Sequence, residues 1–134
     1  MPRLSIERAT ELLSGRENIA AAWVFGSGKD GQIRPGGDFD IGVLFVNKPS
    51  LDELADLRAD LQQALHFEEI DLSVLNDASA VLRFEAARGR LLCCRDRGEV
   101  AGFVSLAARE YEDEMALAER WRRSPEGSRS GLMK

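Results

Sequence analysis

One nine-residue segment constrains the fold more than any other part of this 134-residue chain. The segment 38–46 reads DFDIGVLFV, and its apolar and polar positions alternate as in a half-buried strand. One face carries Phe39, Ile41, Val43 and Phe45, and the other carries Asp38, Asp40, Gly42 and Leu44. Residues 26–37, which precede it, hold five glycines and one proline. The pattern predicts a strand that follows a loop and carries two carboxylates at its start.

The rest of the chain predicts helices that alternate with short strands. Apolar residues at helical spacing, capping serines and terminal glycines mark the helices. We expect helices over about 6–13, 51–66, 79–88 and 99–123, and strands over 19–25, 38–46, 67–75 and 90–94. This order predicts an α/β (α+β) domain with a small mixed β-sheet flanked by helices. We expect residues 1–123 to form this domain and residues 124–134 (SPEGSRSGLMK) to form a flexible C-terminal tail.

Charge and composition exclude several classes of protein. The chain has 18 Lys and Arg residues against 23 Asp and Glu residues, a net charge of -5. Because backbone-driven nucleic-acid binding needs an excess of basic charge, no direct nucleic-acid binding is expected. No run of eighteen apolar residues occurs, so no membrane span is expected, and the N-terminus lacks the pattern of a signal peptide. The two cysteines, Cys93 and Cys94, are adjacent, which favours a reduced, cytoplasmic protein.

The carboxylates at the start of the strand over 38–46 have a spacing that suits a metal ion. Asp38 and Asp40 point to the same face, with Cα atoms about 6–7 Å apart. Two ionised carboxylates at that distance repel each other unless a cation neutralises them, and Mg²⁺ prefers such oxygen ligands. Asp71 lies on the polar side of the strand over 67–75 and would face the same place if the two strands were neighbours. The alternative is that the two aspartates only end a loop and cap backbone amides.

Gly26 and Ser27 have the chemistry of a phosphate contact. Glycine lets a phosphate approach the backbone N–H groups, and serine adds a hydroxyl donor. An ordinary turn is the alternative. The segment 26–31 also reads G-x-G-x-x-G, but Pro35 and the glycines after it exclude the helix that a dinucleotide-binding loop requires.

Together, these residues resemble the minimal nucleotidyltransferase (MNT) family, small relatives of kanamycin nucleotidyltransferase in the polymerase-β superfamily. The resemblance lies in Gly26-Ser27, ten intervening residues, Asp38-x-Asp40, and the strand aspartate Asp71. It extends over residues 3 to about 123. It implies the nucleotidyltransferase fold and an enzyme that uses ATP as substrate and two Mg²⁺ ions as cofactors.

The resemblance also implies a role for each of these residues. Asp38, Asp40 and Asp71 would be the catalytic and metal-binding residues, and Asp71 would help activate the acceptor hydroxyl. Gly26 and Ser27 would hold the triphosphate. Family loops commonly carry an arginine near position 30 and a serine before the first aspartate, where this chain has Asp30 and Gly37. We expect Lys29 or Arg34 to supply the positive charge near the phosphates.

Many members of this family are antitoxins of HEPN-domain ribonuclease toxins. The resemblance therefore implies a magnesium-dependent antitoxin that transfers AMP from ATP to a tyrosine of its cognate HEPN toxin and so neutralises it. Two alternatives remain: an inactive antitoxin that acts by binding alone, and a transferase that modifies a small molecule such as an aminoglycoside.

A few other residues have more than one interpretation. Arg83 is expected to be a surface residue near Glu85 or Glu69 rather than a phosphate contact. Tyr111 and Trp121 are expected to belong to the apolar stripe of the last helix. The exposed part of that helix is a candidate docking site for a toxin or for a second copy.

Overall fold

The computed structural model describes residues 3–123, which form helices on both faces of a four-stranded mixed sheet. The helices are α1 (Ile6–Ser14), α2 (Leu51–Leu65), α3 (Ala80–Ala87) and α4 (Arg97–Arg123). The strands are β1 (Ile19–Phe25), β2 (Phe39–Phe45), β3 (Ile70–Val74) and β4 (Arg90–Cys94). The predicted α/β (α+β) class and small mixed sheet are confirmed. The expected tail over 124–134 lies outside the described residues.

The topology of the sheet brings the ends of three strands together. The strand order is β3-β2-β1-β4, with β1 antiparallel to both β2 and β4, and with β3 parallel to β2. Consequently the C-terminal end of β1 and the N-terminal ends of β2 and β3 lie at the same end of the sheet.

Each face of the sheet buries its own apolar cluster. The larger cluster packs α1 and α2 against the face that carries Phe39 and Ile41, both fully buried. The smaller cluster packs α3 and α4 against the opposite face, where the Trp23 ring stacks on Phe103 at a centroid distance of 5.4 Å. The alternation predicted for β2 is confirmed, since its polar positions lie on the α3–α4 face.

Local hydrogen bonds explain where the elements begin and end. The hydroxyls of Ser5, Ser50 and Ser79 accept backbone N–H bonds at the starts of α1, α2 and α3. Helix α4 begins two residues earlier than predicted because the Asp96 carboxylate accepts the N–H groups of Gly98 and Glu99. Strand β3 is shorter than predicted, since residues 67–69 form the turn that leaves α2.

Only the first part of α4 packs on the body of the protein. Tyr111 is half-buried and stacks on Phe84, with ring centroids 4.1 Å apart. Trp121 is 52% exposed, so its predicted place in the apolar stripe is wrong: α4 has run past α3 at that point. Among residues 3–123, no helix is both long enough and apolar enough to cross a membrane.

Candidate nucleotide and metal site

The three predicted carboxylates come together where β2 and β3 begin. Asp40 and Asp71 are direct partners in the parallel pairing of these strands, which run about 5 Å apart. Asp38 lies two residues before Asp40, immediately before β2 begins. The condition on which Asp71 would join the other two aspartates, that its strand lies beside the strand carrying Asp40, is therefore met.

The surroundings of the Asp40 carboxyl group raise its pKa. Its partial burial raises its pKa to about 6, and the charge of Asp71, a hydrogen bond to Asp71 and the charge of Asp38 act in the same direction. A metal-free site therefore holds Asp40 partly protonated near neutral pH. A divalent cation would remove this repulsion, because it offers each carboxylate an opposite charge.

Gly26 makes room for the Asp40 carboxylate. Phe25, the last residue of β1, pairs with Asp40, so the chain turns at Gly26 directly beside it. Gly26 has φ +76°, and a Cβ atom built there would lie 2.6 Å from Asp40 Oδ2. No other residue type fits this corner without displacing the carboxylate. Ser27 follows in the single 3₁₀ turn Gly26–Gly28 and is exposed.

The rest of the glycine-rich loop is fixed by its own contacts. Ile33 is only 2% exposed and anchors the loop in the larger core, and the Leu4 N–H donates to the Gly31 carbonyl at 2.7 Å. The Asp30 carboxylate accepts the Gln32 N–H at 3.0 Å. Lys29 and Arg34 are exposed, and within residues 3–123 neither side chain forms a hydrogen bond or an ion pair. The structure therefore does not bring these two residues into contact with the carboxylates.

The donor set fits a magnesium site that a substrate completes. Within the described part of the chain, no three His, Cys, Asp or Glu side chains enclose a point that could hold a metal ion by themselves. Mg²⁺ is usually held by one or two carboxylates, and water and substrate phosphates fill its other positions. The all-oxygen chemistry of Asp38, Asp40 and Asp71 and their open arrangement agree with this mode of binding.

A groove beside the carboxylates could not be foreseen from the sequence. Its volume is about 500 Å³, and it is lined by Asp38, Arg58, Gln62, Glu68, Glu69, Ile70 and Asp71. Arg58 and Gln62 lie on α2, where their spacing of four residues is ordinary for a solvated helix face. Only the packing of α2 against β3 shows that Arg58 reaches the first residue of the strand that carries Asp71, and that Gln62 reaches the turn just before it.

Arg83 has a different role from the one predicted. Its Nε donates to the Leu75 carbonyl at 3.0 Å, and its guanidinium lies 3.7 Å from the Glu110 carboxylate. The prediction that Arg83 lies near Glu85 or Glu69 is wrong, because its side chain joins α3 to α4 and to the C-terminal end of β3. That end of β3 is opposite the end that holds Asp71.

The fold and the site together define a class of protein. A mixed sheet that presents carboxylates from two adjacent strands beside a glycine corner suits metal-assisted transfer of a phosphorus group. The family described as "Polymerase beta, Nucleotidyltransferase" matches residues 7–98. The chain belongs to this nucleotidyltransferase family.

Several solved structures share the fold. A chain of the toxin–antitoxin pair MntA–HpeT superposes with a TM-score of 0.75 at 22% identity, covering 87% of this chain and 94% of the other. A toxin–antitoxin structure with AMP-PNP gives a TM-score of 0.73 at 23% identity, with coverage of 87% and 94%. The complex of a tri-AMPylated Shewanella oneidensis HEPN toxin with its MNT antitoxin gives 0.67 at 21% identity, with coverage of 86% and 90%. No curated protein matches the sequence.

Proposed function

We propose that this chain is a magnesium-dependent nucleotidyltransferase antitoxin. It transfers AMP from ATP to a tyrosine of a cognate HEPN ribonuclease toxin and thereby neutralises the toxin. The observation that carries the proposal is the pairing of Asp40 with Asp71, with Asp38 beside them and the Gly26 corner against Asp40.

In this proposal the site residues form a metal-binding group and a triphosphate-binding group. Asp38, Asp40 and Asp71 hold two Mg²⁺ ions, which would neutralise charge on the phosphates during transfer. Gly26 and Ser27 hold the triphosphate, and Lys29 and Arg34 balance its charge from the loop.

The transfer itself exchanges one phosphorus–oxygen bond for another. The tyrosine oxygen attacks the α-phosphorus of ATP, the bond between the α-phosphorus and the bridging oxygen breaks, and pyrophosphate leaves. The tyrosine hydroxyl has an ordinary pKa of about 10, so it needs a base at the site. Asp71, at the edge of the sheet, accepts this proton.

The structural neighbours support the partner and the nucleotide. They include toxin–antitoxin complexes, one with the ATP analogue AMP-PNP and one whose HEPN toxin carries three AMP groups. We extend to this chain the HEPN partner, ATP as donor, and the addition of more than one AMP group.

Intact mass spectrometry of the partner tests the proposal. A HEPN-domain protein from the same genome would be co-expressed with the unaltered chain and with its Asp38→Ala/Asp40→Ala variant. The proposal expects AMP-sized mass increments on the partner only with the unaltered chain. Neutralisation and a stable complex with both versions, but no increment with either, would contradict it.

That contradicting result would favour an antitoxin that acts by binding alone. One observation makes this second candidate specific: α4 extends past α3 and exposes Met115, Leu117 and Trp121. Such a surface could cover a partner without any chemistry. Trp121→Ala should then weaken the complex, whereas Asp38→Ala should leave it unchanged.

A further inference from the structure

The groove beside the carboxylates follows the outer edge of β3. Because β3 is the last strand of the order β3-β2-β1-β4, no further strand formed by residues 3–123 covers this edge. A second hollow of about 270 Å³ continues from the groove, and Arg58, Ile70 and Asp71 line both. Arg58 therefore stands where the two hollows meet, beside the aspartate of the edge strand.

Arg58 is held in place by the strand itself. Its Nε donates to the Ile70 carbonyl at 3.0 Å, and one turn later Gln62 Nε2 donates to the Glu68 carbonyl at 2.8 Å. The Glu69 carbonyl points the other way and accepts the Phe39 N–H of β2. Across residues 3–123 the Arg58 side chain forms no other hydrogen bond or ion pair, so both terminal nitrogens remain available to a ligand.

Among the described residues that line the groove, Arg58 is also the one cation. The other ionisable lining residues are Asp38, Glu68, Glu69 and Asp71. The four carboxylates of this groove repel a free anion. A phosphate that is part of an acceptor already docked on the protein needs only one fixed side chain that can donate two hydrogen bonds to it. Because the Arg58 Nε already donates to a backbone carbonyl, its guanidinium can form that bidentate contact with little further loss of side-chain conformational entropy.

The sheet order indicates which reactant enters this groove. In-line displacement puts the attacking and leaving oxygens on opposite sides of the phosphorus. Gly26, proposed to hold the triphosphate, follows β1 on one side of the β2 carboxylates, and the groove lies beyond β3 on the other. The acceptor therefore enters from the side of Arg58.

We propose that Arg58 binds the phosphate of an acceptor that already carries one AMP, and so promotes the second and later transfers without being needed for the first. This inference rests on the proposed function. In each later transfer a ribose hydroxyl of the attached AMP attacks the α-phosphorus of a new ATP. The new phosphodiester bond forms, the bond to pyrophosphate breaks, and the hydroxyl proton passes to Asp71.

A time course of AMP addition tests this role. The purified chain, ATP, Mg²⁺ and the unmodified HEPN protein from the same genome are mixed, and intact mass resolves the species with zero, one, two and three AMP groups. For Arg58→Gln we expect the first addition within about twofold of the unaltered chain and later additions slowed about tenfold or more, since a charge-assisted contact to phosphate is lost. Singly modified partner should then accumulate.

Two variants separate phosphate binding from support of the strand. Arg8 is also an exposed arginine that donates to a backbone carbonyl, that of Ala64, but it lies outside the groove, so Arg8→Gln should leave every step unchanged. Gln62→Leu removes the contact from α2 to the Glu68 carbonyl, just before β3, and should slow the first and later additions alike.

Each remaining outcome overturns the proposal in a recognisable way. An unchanged product distribution with Arg58→Gln would show that Arg58 does not bind the acceptor phosphate. Equal slowing of the first and later additions would assign it a structural role instead. If the unaltered chain added only one AMP, there would be no later transfer for Arg58 to promote, and this inference would fail while the proposed function stood. If it added none, the proposed function itself would fail.

Discussion

The Gly26 corner leaves no room for a side chain beside the Asp40 carboxylate. A side chain at Gly26 would meet Asp40 Oδ2 at 2.6 Å, far inside ordinary contact. The glycine therefore does more than permit a positive φ: it lets a carboxylate from the neighbouring strand reach the corner where a triphosphate would lie.

Gly26→Ala should abolish most of the AMP transfer while the fold persists. Displacing the Asp40 carboxylate by about 1 Å should reduce the rate on the order of 100-fold. The positive φ should also cost about 1–2 kcal/mol of unfolding free energy. Transfer rates and chemical denaturation measure the two effects.

Gly36→Ala is the matched control for this change. Gly36 has the same φ of +76°, but nothing lies within 4 Å of its Cβ position. The control should lose similar stability and keep its transfer rate. Equal loss of activity in both variants would show that loop conformation, and not access of the Asp40 carboxylate, limits the reaction.

Asp40 should titrate at about 6 in the metal-free chain, because burial and two neighbouring carboxylates oppose its charge. Carboxyl-carbon NMR would follow this titration directly. Asp71→Asn should lower the pKa toward its usual value, and Mg²⁺ with an ATP analogue should lower it too. Asp77→Asn, which alters an exposed ion pair with Lys48, is the control and should change nothing at Asp40. An unshifted pKa in Asp71→Asn would contradict the coupling.

The same raised pKa fixes the sign of one pH dependence. Between pH about 4 and about 6, folded Asp40 keeps a proton that the unfolded chain has released. This group therefore makes the unfolding free energy fall as pH rises through that window and contributes no further change above it. Ionised Asp40 therefore lowers the unfolding free energy of the metal-free protein. A bound cation would offset this loss of stability.

At the scale of elements, α4 has a packed half and a protruding half. Tyr111 stacks on Phe84 of α3, and Arg83 ties α3 to Glu110. Beyond this point the helix carries exposed apolar side chains such as Leu117 and Trp121. The first half of α4 therefore packs on the rest of the protein, and the second half exposes apolar side chains to solvent.

Tyr111→Ala should therefore destabilise the isolated chain by about 2 kcal/mol, through lost burial and lost ring stacking. Trp121→Ala should change the unfolding free energy by less than about 0.5 kcal/mol, because that side chain is half exposed and leaves no cavity. Urea denaturation of both variants measures the difference. Equal destabilisation would mean that the end of α4 packs on the body after all.

Local sequence patterns foretold the elements well, because strand alternation and serine caps act over a few residues. The limits of β1 and β4 and the caps of α1 to α3 needed no tertiary information. Strand pairing could only be stated as a condition, and the register of Asp40 with Asp71 required the folded sheet. The groove at Arg58 was invisible in the sequence, since it arises where α2 crosses the edge of β3.

At the scale of the whole molecule, the topology of the sheet turns separate sequence motifs into one site. The antiparallel pairing of β1 with β2 and the parallel pairing of β2 with β3 bring the Gly26 corner, the β2 carboxylates and Asp71 to one end. In the proposed function this arrangement would supply an open metal site, with the triphosphate on one side and the acceptor on the other. The net charge of -5 agrees with a protein acceptor and not with a nucleic-acid one.

The most direct test of the central claim compares two labelled forms of ATP. The chain, Mg²⁺ and its HEPN partner would be incubated with ATP labelled at either the α- or the γ-phosphate, and label on the partner would be counted. Nucleotidyl transfer predicts label from the α-phosphate alone, and none with Asp38→Ala/Asp40→Ala. Label from the γ-phosphate, or none from either with a partner that is still neutralised, would contradict the account.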